Sequence, residues 1–200
     1  MLISTILRRH IETDVQMGIS IFPLHKHKQY LSECCKLIND EWKRSETARL
    51  HSLESSCDSL PTSLVLVEDG RVIGHLKLTP IPSIKDACFV ESVVIARHLR
   101  GQGYGRILMR GAEDHCRTAL QLRTVYLSTK GQEGFYAKLG YVLCKPVSIY
   151  GCFVPETKKE EPKRVVVQSL NVDAPVPPPL PHCERLVSRK VFMKKELISR

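Results

Sequence analysis

Long apolar runs are missing from this sequence. No segment reaches the roughly 18 uninterrupted apolar residues of a membrane-spanning helix, and the charged N-terminal stretch has neither the apolar core nor the cleavage site of a signal peptide. Aromatic residues make up only 6% of the chain, and it has no zinc-finger or RNP-type motif. We therefore expect a soluble, cytosolic protein with neither a membrane nor a nucleic acid among its partners.

Three familiar sequence motifs are also absent. The Rossmann G-x-G-x-x-G spacing does not occur after a first strand, and no G-K-[ST] ends a Walker loop. The eight cysteines include an adjacent pair, Cys34 and Cys35, but form no C-x-x-C motif. We therefore predict that most cysteines are buried free thiols, and we predict no metal site.

The composition indicates one domain with an anionic partner. A chain of 200 residues that is 42% hydrophobic can close one core with room for a peripheral segment, so residues 1–200 are expected to form a single domain. The net charge of +9 favours anionic partners. Because lysine and arginine are scattered along the chain, a phosphate-bearing cofactor and an acidic substrate explain this charge better than a nucleic acid does.

Hydrophobic periodicity predicts strands that alternate with helices. Asp69-Gly70 is a strong two-residue hairpin signal, and residues 80–87 are expected to form a loop. Strands are predicted over 17–24, 63–68, 71–79, 88–96, 124–129 and 190–195, and helices over 30–42, 45–56, 102–120 and 133–139. The predicted order is β-α-α-β-β-β-α-β-α-β.

A glycine-rich turn joins a predicted strand to an amphipathic helix. The run from Leu99 to Arg106 contains the pattern Arg-x-x-Gly-x-Gly. Glycines allow the backbone to approach a ligand closely, and the first N–H groups of the helix are free to bind an anion such as pyrophosphate. The turn and the element order resemble the acetyl-CoA loop and fold of the GNAT superfamily of N-acetyltransferases.

This resemblance implies an α/β fold in which two central strands of a mixed sheet splay apart between flanking helices. Acetyl-CoA would enter the gap, and its pantetheine arm would bind the backbone of a splayed strand. Arg100 and Arg106 would supplement the backbone contacts to phosphate. The cofactor-binding residues are then Val93, Val94, Ile95, Arg100, Gly101, Gln102, Gly103, Tyr104, Gly105 and Arg106.

The pattern F-Y-x-x-L-G-Y, residues 135–141, is a second motif shared with this superfamily. The resemblance makes Tyr136 the acid that protonates the departing thiolate. It also puts Glu91 where many members have a base that acts through water, although a salt bridge at the strand end explains Glu91 equally well. Taken without the loop, the aromatic pair would be the buried face of a helix.

The segment from Glu41 to Leu53 contains the only tryptophan, Trp42, beside several cations. By pattern alone, Trp42 is a core anchor and the cations are a solvated face. Together with the proline-rich C-terminal part, however, the segment resembles the N-terminal acetyltransferases that act on actin. This resemblance implies that Trp42 is catalytic and that acidic actin N-termini bind a cationic pocket. The substrate-binding residues would be Arg44, Ser45, Arg49, His51 and Lys130.

Residues 155–186 are predicted to form a proline-containing loop insertion before the last strand. Pro175–Pro181 can adopt a polyproline II helix, which is either a stiff linker or a ligand for an aromatic groove. In the actin-acetylating family such a segment is expected to bind profilin. Two alternatives remain at this point: a GNAT enzyme for another protein or a small amine, and a non-catalytic adaptor that binds through this loop.

Overall fold

The computed structural model describes residues 18–150 and 190–197, which contain seven strands and four α-helices. The strands are β1 (Ile19–Pro23), β2 (Thr62–Glu68), β3 (Arg71–Ile81), β4 (Ile84–Ile95), β5 (Thr124–Thr129), β6 (Val142–Cys144) and β7 (Val191–Glu196). The helices are α1 (Leu31–Glu41), α2 (Glu46–Glu54), α3 (Tyr104–Thr118) and α4 (Glu133–Ala137).

All seven strands form one sheet, in the order β1-β2-β3-β4-β5-β7-β6. The central pair, β4 and β5, is parallel, and the other neighbouring strands are antiparallel. The α3 helix lies between β4 and β5 in sequence, as a parallel connection requires. The predicted mixed sheet with flanking helices is confirmed.

Helices cover both faces of the sheet. Because side chains alternate along a strand, one face of β2 directs Val65 and Val67 toward α1 and α2. The other face directs Leu64 and Leu66 toward α3. The α1–α2 layer and the α3–α4 layer therefore lie on opposite sides of the sheet.

The central strands β4 and β5 separate partway along their length. Their pairing runs from Ala87↔Thr124 to Val90↔Leu127 and then stops, although both strands continue. The last two residues of β5 pair only with β7, and the rest of β4 pairs only with β3. The splay that the family resemblance implied is present, and it begins directly after Val90.

The predicted loop over residues 80–87 is wrong. Strand β3 continues to Ile81 and β4 begins at Ile84, so only two residues form the turn. Proline in this segment favours a loop, but burial of Ile81 against Phe89 outweighs that local signal. The predicted order also missed β6, which is three residues long.

Other boundaries agree with the prediction to within about two residues. The Ser45 hydroxyl caps α2 by accepting the Ala48 N–H at 3.5 Å, as expected. Cys34, Cys35, Cys88 and Cys116 are buried free thiols. No helix in the described ranges has the length and apolar character needed to cross a membrane. The predicted insertion at 155–186 lies outside the described residues.

Candidate active site

The glycine-rich turn adopts the backbone conformation that its glycines allow. Gly101 and Gly103 have φ angles of +81° and +92°, in the left-handed region that other residues rarely enter. Gly103 is the N-cap of α3, so the first N–H groups of this 15-residue helix point out of the turn. A methyl group placed on either glycine would meet no protein atom within 4 Å. The turn therefore presents open backbone donors that suit a phosphate group.

The open edge of β4 lies next to this turn. Beyond Val90 the strand has no partner on its β5 side, so its peptide groups face the gap. One predicted acceptor is already used, because the Ile95 carbonyl accepts a hydrogen bond from Arg100 Nε at 3.0 Å. Val93 and Val94 remain candidates for backbone contacts to an extended ligand.

The two sequence motifs meet on the α3–α4 face. A methyl group on Gly105 would lie 3.3 Å from Phe135 Cζ, so the start of α3 packs closely against α4. The ring of Tyr136 lies 5.0 Å from that of Phe135 and 5.9 Å from that of Tyr141. Tyr136 is 9% exposed, and burial raises its pKa to about 12. Its phenol therefore stays protonated at neutral pH.

Glu91 lies on the opposite face of the sheet, beneath the α1–α2 layer. Its Oε2 accepts a hydrogen bond from Thr79 Oγ1 at 2.7 Å. Its register partner on β3 is Lys77, and Lys77 Nζ donates to Ser52 Oγ of α2 at 3.3 Å. The Thr79 hydroxyl thus holds the Glu91 carboxylate by a hydrogen bond. Within the described ranges, Glu91 forms no salt bridge.

Strand β4 bulges directly after Glu91. The register to β3 shifts between His75 and Lys77, and Ser92 has a φ of +54°. His75 Nδ1 lies 3.3 Å from the Ser92 carbonyl oxygen. Because His75 is fully buried, the pKa of its imidazole is lowered to about 3, and the neutral ring donates to that oxygen. The buried histidine supports the bulge from which the open edge of β4 continues.

Arg100 does not point freely into solvent. Its Nη2 donates to Glu41 Oε2 at 2.8 Å, at the C-terminal end of α1. A cavity of about 350 Å³ lies beside this contact, between the last turn of α1 and the end of β4. The predicted role of the Arg100 side chain in phosphate binding therefore competes with an ion pair inside the protein.

Arg49 also has internal partners. Its Nε donates to Asn39 Oδ1 at 3.0 Å, and its Nη2 donates to the Trp42 carbonyl at 2.8 Å. Burial is the main factor that lowers the pKa of Arg49. The guanidinium thus ties α2 to the end of α1, which makes it a structural contact rather than a free cation for a substrate.

The remaining predicted substrate-side residues are exposed. Trp42 is 45% exposed, so it is not the core anchor that its pattern favoured. Arg44 and Ser45 lie in the corner between α1 and α2, and His51 lies in the last turn of α2. Lys130 directly follows β5. Trp42, Arg44, Ser45 and His51 thus belong to the α1–α2 layer, which covers the face of the sheet that carries Glu91.

The other predicted cofactor-loop side chains face different ways. Gln102 Nε2 donates to the His98 carbonyl at 3.2 Å within the turn. Tyr104 Oη donates to Glu68 Oε1 at 2.5 Å and so anchors the start of α3 to β2. Arg106 is exposed. The loop therefore offers mainly backbone groups, while two of its side chains stabilise its shape.

Sequence reasoning missed four residues that shape this site: Glu41, His75, Lys77 and Thr79. Thr79 and Lys77 alternate with buried leucines on β3, and this period-2 pattern places them on the face of Glu91. Glu41 and His75 act through partners 59 and 17 residues away, and no local pattern reports such contacts. Within the described ranges, no group of three His, Cys, Asp or Glu residues can hold a metal ion.

Comparisons with known proteins agree with this geometry. Residues 28–141 match the acetyltransferase (GNAT) family. The chain is 43% identical over 126 residues to N-alpha-acetyltransferase 80 of Mus musculus, covering 60% of this chain. The match covers 40% of the mouse protein, so the chain spans about two fifths of that relative's length.

Solved structures share the fold at low sequence identity. An aminoglycoside 6'-N-acetyltransferase complexed with coenzyme A superposes with a TM-score of 0.62 at 14% identity, over 92% of this chain and 99% of that one. A GNAT-family acetyltransferase from Staphylococcus aureus Mu50 gives a TM-score of 0.57 at 14% identity, over 90% and 99% of the two chains. With the splayed strands, the glycine turn and the family match all in agreement, the chain belongs to the GNAT family of acetyltransferases.

Proposed function

We propose that this protein transfers the acetyl group of acetyl-CoA to the α-amine of a protein N-terminus that begins with acidic residues, and that processed actin supplies this N-terminus. The observation that carries the proposal is the separation of β4 and β5 beside the N-terminus of α3. The mouse relative, which is named as an N-alpha-acetyltransferase, supports the choice of acceptor.

The residues present suit acetyl-CoA. The turn at Gly101 and Gly103 leaves open space and free N–H groups for a pyrophosphate, and the unpaired edge of β4 can add an extended arm as another strand. Acetyl-CoA supplies an activated acyl group on a thiol that leaves readily as a thiolate. The chain must hold this carbonyl next to a neutral amine.

Glu91 and Tyr136 provide the proton chemistry in this proposal. Glu91, held by Thr79, accepts a proton from the incoming ammonium group, either directly or through a water. Tyr136 keeps its proton because its pKa is about 12, so its phenol can donate to the departing sulfur. Glu91 lies on the α1–α2 face and Tyr136 on the α3–α4 face, and this proposal places the reacting groups between them, in the gap between β4 and β5.

The charge of the α1–α2 side supports an acidic acceptor. Arg44 and His51 are exposed there, and Lys130 extends from the end of β5. Lys77 adds a cation on the floor of this face. A polyamine such as spermidine would be repelled by this set, whereas an acidic N-terminus would be attracted to it.

Transfer of labelled acetyl groups to matched peptides and to spermidine tests which acceptor the protein prefers. Three peptides differ only in their first residue, which is Asp, Asn or Lys. A fourth peptide also begins with Asp, but its α-amine is blocked and it contains an internal lysine. We expect kcat/KM to fall in the order Asp, Asn, Lys, with no transfer to the blocked peptide. Preferred transfer to spermidine, to the Lys peptide or to the internal lysine would overturn the proposal.

Charge reversal on the α1–α2 side gives a matched comparison. Arg44→Glu should lower kcat/KM for the Asp peptide about tenfold and leave the Asn peptide nearly unchanged, because the lost attraction is electrostatic. Lys85→Glu makes the same change of charge near the start of β4, away from the open end of that strand. An equal loss in both variants would show that net charge alone, and not this surface, governs the preference.

Two further parts of the proposal come from the sequence alone. Pro175–Pro181 would bind profilin and so bring monomeric actin to the site, and the protein would act in the cytosol. A polyproline peptide should then slow acetylation of profilin-bound actin without affecting that of free acidic peptides. Equal rates on profilin–actin with and without the competitor would exclude this docking.

A further inference from the structure

The C-terminal end of α1 is held by three arginines from other parts of the chain. Arg97 Nη2 donates to the Asp40 carbonyl, and Arg49 Nη2 donates to the Trp42 carbonyl, each at 2.8 Å. Arg100 contacts the Glu41 side chain. The last carbonyls of a helix lack intrahelical donors, and the helix dipole favours cations at this end. Two of the three arginines come from the segment that joins β4 to the glycine-rich turn.

Glu41 is the centre of this cluster. Its Oε2 lies 2.8 Å from Arg100 Nη2 and 3.5 Å from Arg97 Nε. The hydrogen bond from Arg100 is the largest factor that lowers the pKa of Glu41. The Glu41 side chain is only 26% exposed, less than either arginine. One carboxylate oxygen therefore joins both arginines of the turn to α1.

Arg100 extends this chain of contacts to the open strand. Its Nε donates to the carbonyl of Ile95, the last residue of β4, while its Nη2 holds Glu41. Trp42 follows Glu41 directly and has its own carbonyl fixed by Arg49. Hydrogen bonds thus run without interruption from the open edge of β4 to the residue before Trp42.

We propose that Glu41 is a positioning residue, which acts through Arg97 and Arg100 to hold the end of α1, and with it Trp42, in place relative to the open end of β4. An isolated surface ion pair contributes little to stability. Here, however, the pair fixes the relative position of the cofactor turn and the α1–α2 corner. Glu41 contacts neither acetyl-CoA nor the peptide in this proposal. Its effect on turnover rests on the proposed function, but its effect on Trp42 does not.

Tryptophan fluorescence tests the position of Trp42 without any activity measurement. Because Trp42 is the only tryptophan, acrylamide quenching reports this indole alone. Glu41→Ala removes both arginine contacts and should raise the quenching constant, by at most about twofold, since exposure can only rise from its present 45%. Glu41→Gln keeps one acceptor and should fall between. Glu33→Ala, an exposed position on the first turn of the same helix, is the matched control and should leave quenching unchanged.

Kinetics provide the second measurement. In Glu41→Ala, Arg97 and Arg100 keep their charges, so the Kd of coenzyme A should stay within about threefold of its original value or become tighter. The kcat for an acidic peptide should fall about tenfold, because the reacting groups are less well positioned. A variant that is only less stable would lose coenzyme A affinity and turnover together, along with thermal stability.

Three outcomes would overturn the proposal. They are unchanged quenching in Glu41→Ala, an equal change in Glu33→Ala, and a parallel loss of coenzyme A affinity and kcat. If the unmodified protein fails to acetylate acidic peptides, the proposed function is wrong, while the quenching comparison still decides whether Glu41 positions Trp42.

Discussion

Tyr136→Phe removes one oxygen atom and leaves the ring contacts of this residue in place. The ring is 9% exposed and packs between Phe135 and Tyr141, which phenylalanine can reproduce. We therefore expect the free energy of unfolding to change by less than about 1 kcal/mol. Any loss of turnover in this variant then reports the hydroxyl group and not a collapsed site.

The pKa of Tyr136 sets the size of that loss. A thiol has a pKa of about 8.5, whereas burial raises the pKa of Tyr136 to about 12. Full transfer of the phenol proton to the thiolate would then be uphill by about 3.5 pKa units, or about 5 kcal/mol. A hydrogen bond to the charged sulfur is available without that cost and contributes about 1.5–3 kcal/mol. Tyr136 would therefore stabilise the departing thiolate by a hydrogen bond and not by transfer of its proton.

We expect kcat to fall by about 10- to 150-fold in Tyr136→Phe, while KM for acetyl-CoA stays nearly constant. The assay is thiol release with a saturating acidic peptide from pH 7 to 10. Because the phenol ionises near pH 12, both proteins should show the same pH profile over this range. A loss beyond about 1000-fold would indicate full proton transfer. A decline near pH 9 that disappears in the variant, or an unchanged kcat, would refute the reasoning.

Three further predictions concern the neighbouring groups. Thr79→Val removes the donor that holds Glu91 and should lower kcat about fivefold at unchanged acetyl-CoA KM, measured by steady-state kinetics; a changed acetyl-CoA KM would contradict this role. Burial lowers the pKa of His75 to about 3, so the fold favours the neutral imidazole. The contribution of His75 to the free energy of unfolding is therefore fully present above pH 6.5 and is lost as the pH falls toward 3. Urea unfolding should show a decrease of about 1.4 kcal/mol per pH unit below 6.5 that His75→Gln removes, and an unaltered slope would refute it. Gly103→Asp should weaken coenzyme A binding about 100-fold by calorimetry, through backbone strain and repulsion of the pyrophosphate. Gly70→Asp, at a φ of +77° in a hairpin turn, should bind normally, and equal losses would count against the proposed turn.

The parts of the fold that the sequence predicted well are governed by local chemistry. Asp69 and Gly70 both adopt positive φ in the β2–β3 hairpin, which is what this dipeptide favours. Ser45 caps α2 through a contact three residues away. The glycine turn and the amphipathic α3 were likewise visible, because each signal lies within one turn or one helix face.

The parts that were missed depend on tertiary contacts. The turn near Pro80 is short because Ile81 is buried against distant residues, a gain that a window of sequence does not contain. The bulge puts Ser92 at positive φ, a conformation that the clash of its Cβ atom disfavours and that the contact with the buried His75 supports. These features were set by packing across the sheet and not by local preference.

The arginines show the same limit in the site itself. The family resemblance implied that Arg49 and Arg100 bind ligands, since cations near a glycine turn or a helix corner favour anions. In the fold their donors contact Asn39, Glu41 and main-chain carbonyls, with Glu41 lying 59 residues from Arg100. Arginine offers five donors in a fixed fork and serves both purposes equally well. Sequence alone therefore identifies where cations gather, and only the fold separates those that hold the protein together from those that remain for a substrate.

The end of the β4–β5 pairing is what would let Glu91 and Tyr136 serve one reaction in the proposed function. Glu91 lies on the α1–α2 face and Tyr136 packs on the α3–α4 face, so a continuous sheet would keep them on separate sides. Pairing stops at Val90↔Leu127, one residue before Glu91. The bulge at Ser92 then carries β4 onward along β3, while the end of β5 stays with β7. In the proposed function, a ligand in the resulting gap would be reached from both faces, so the register of this strand pair would set the position of the reacting groups.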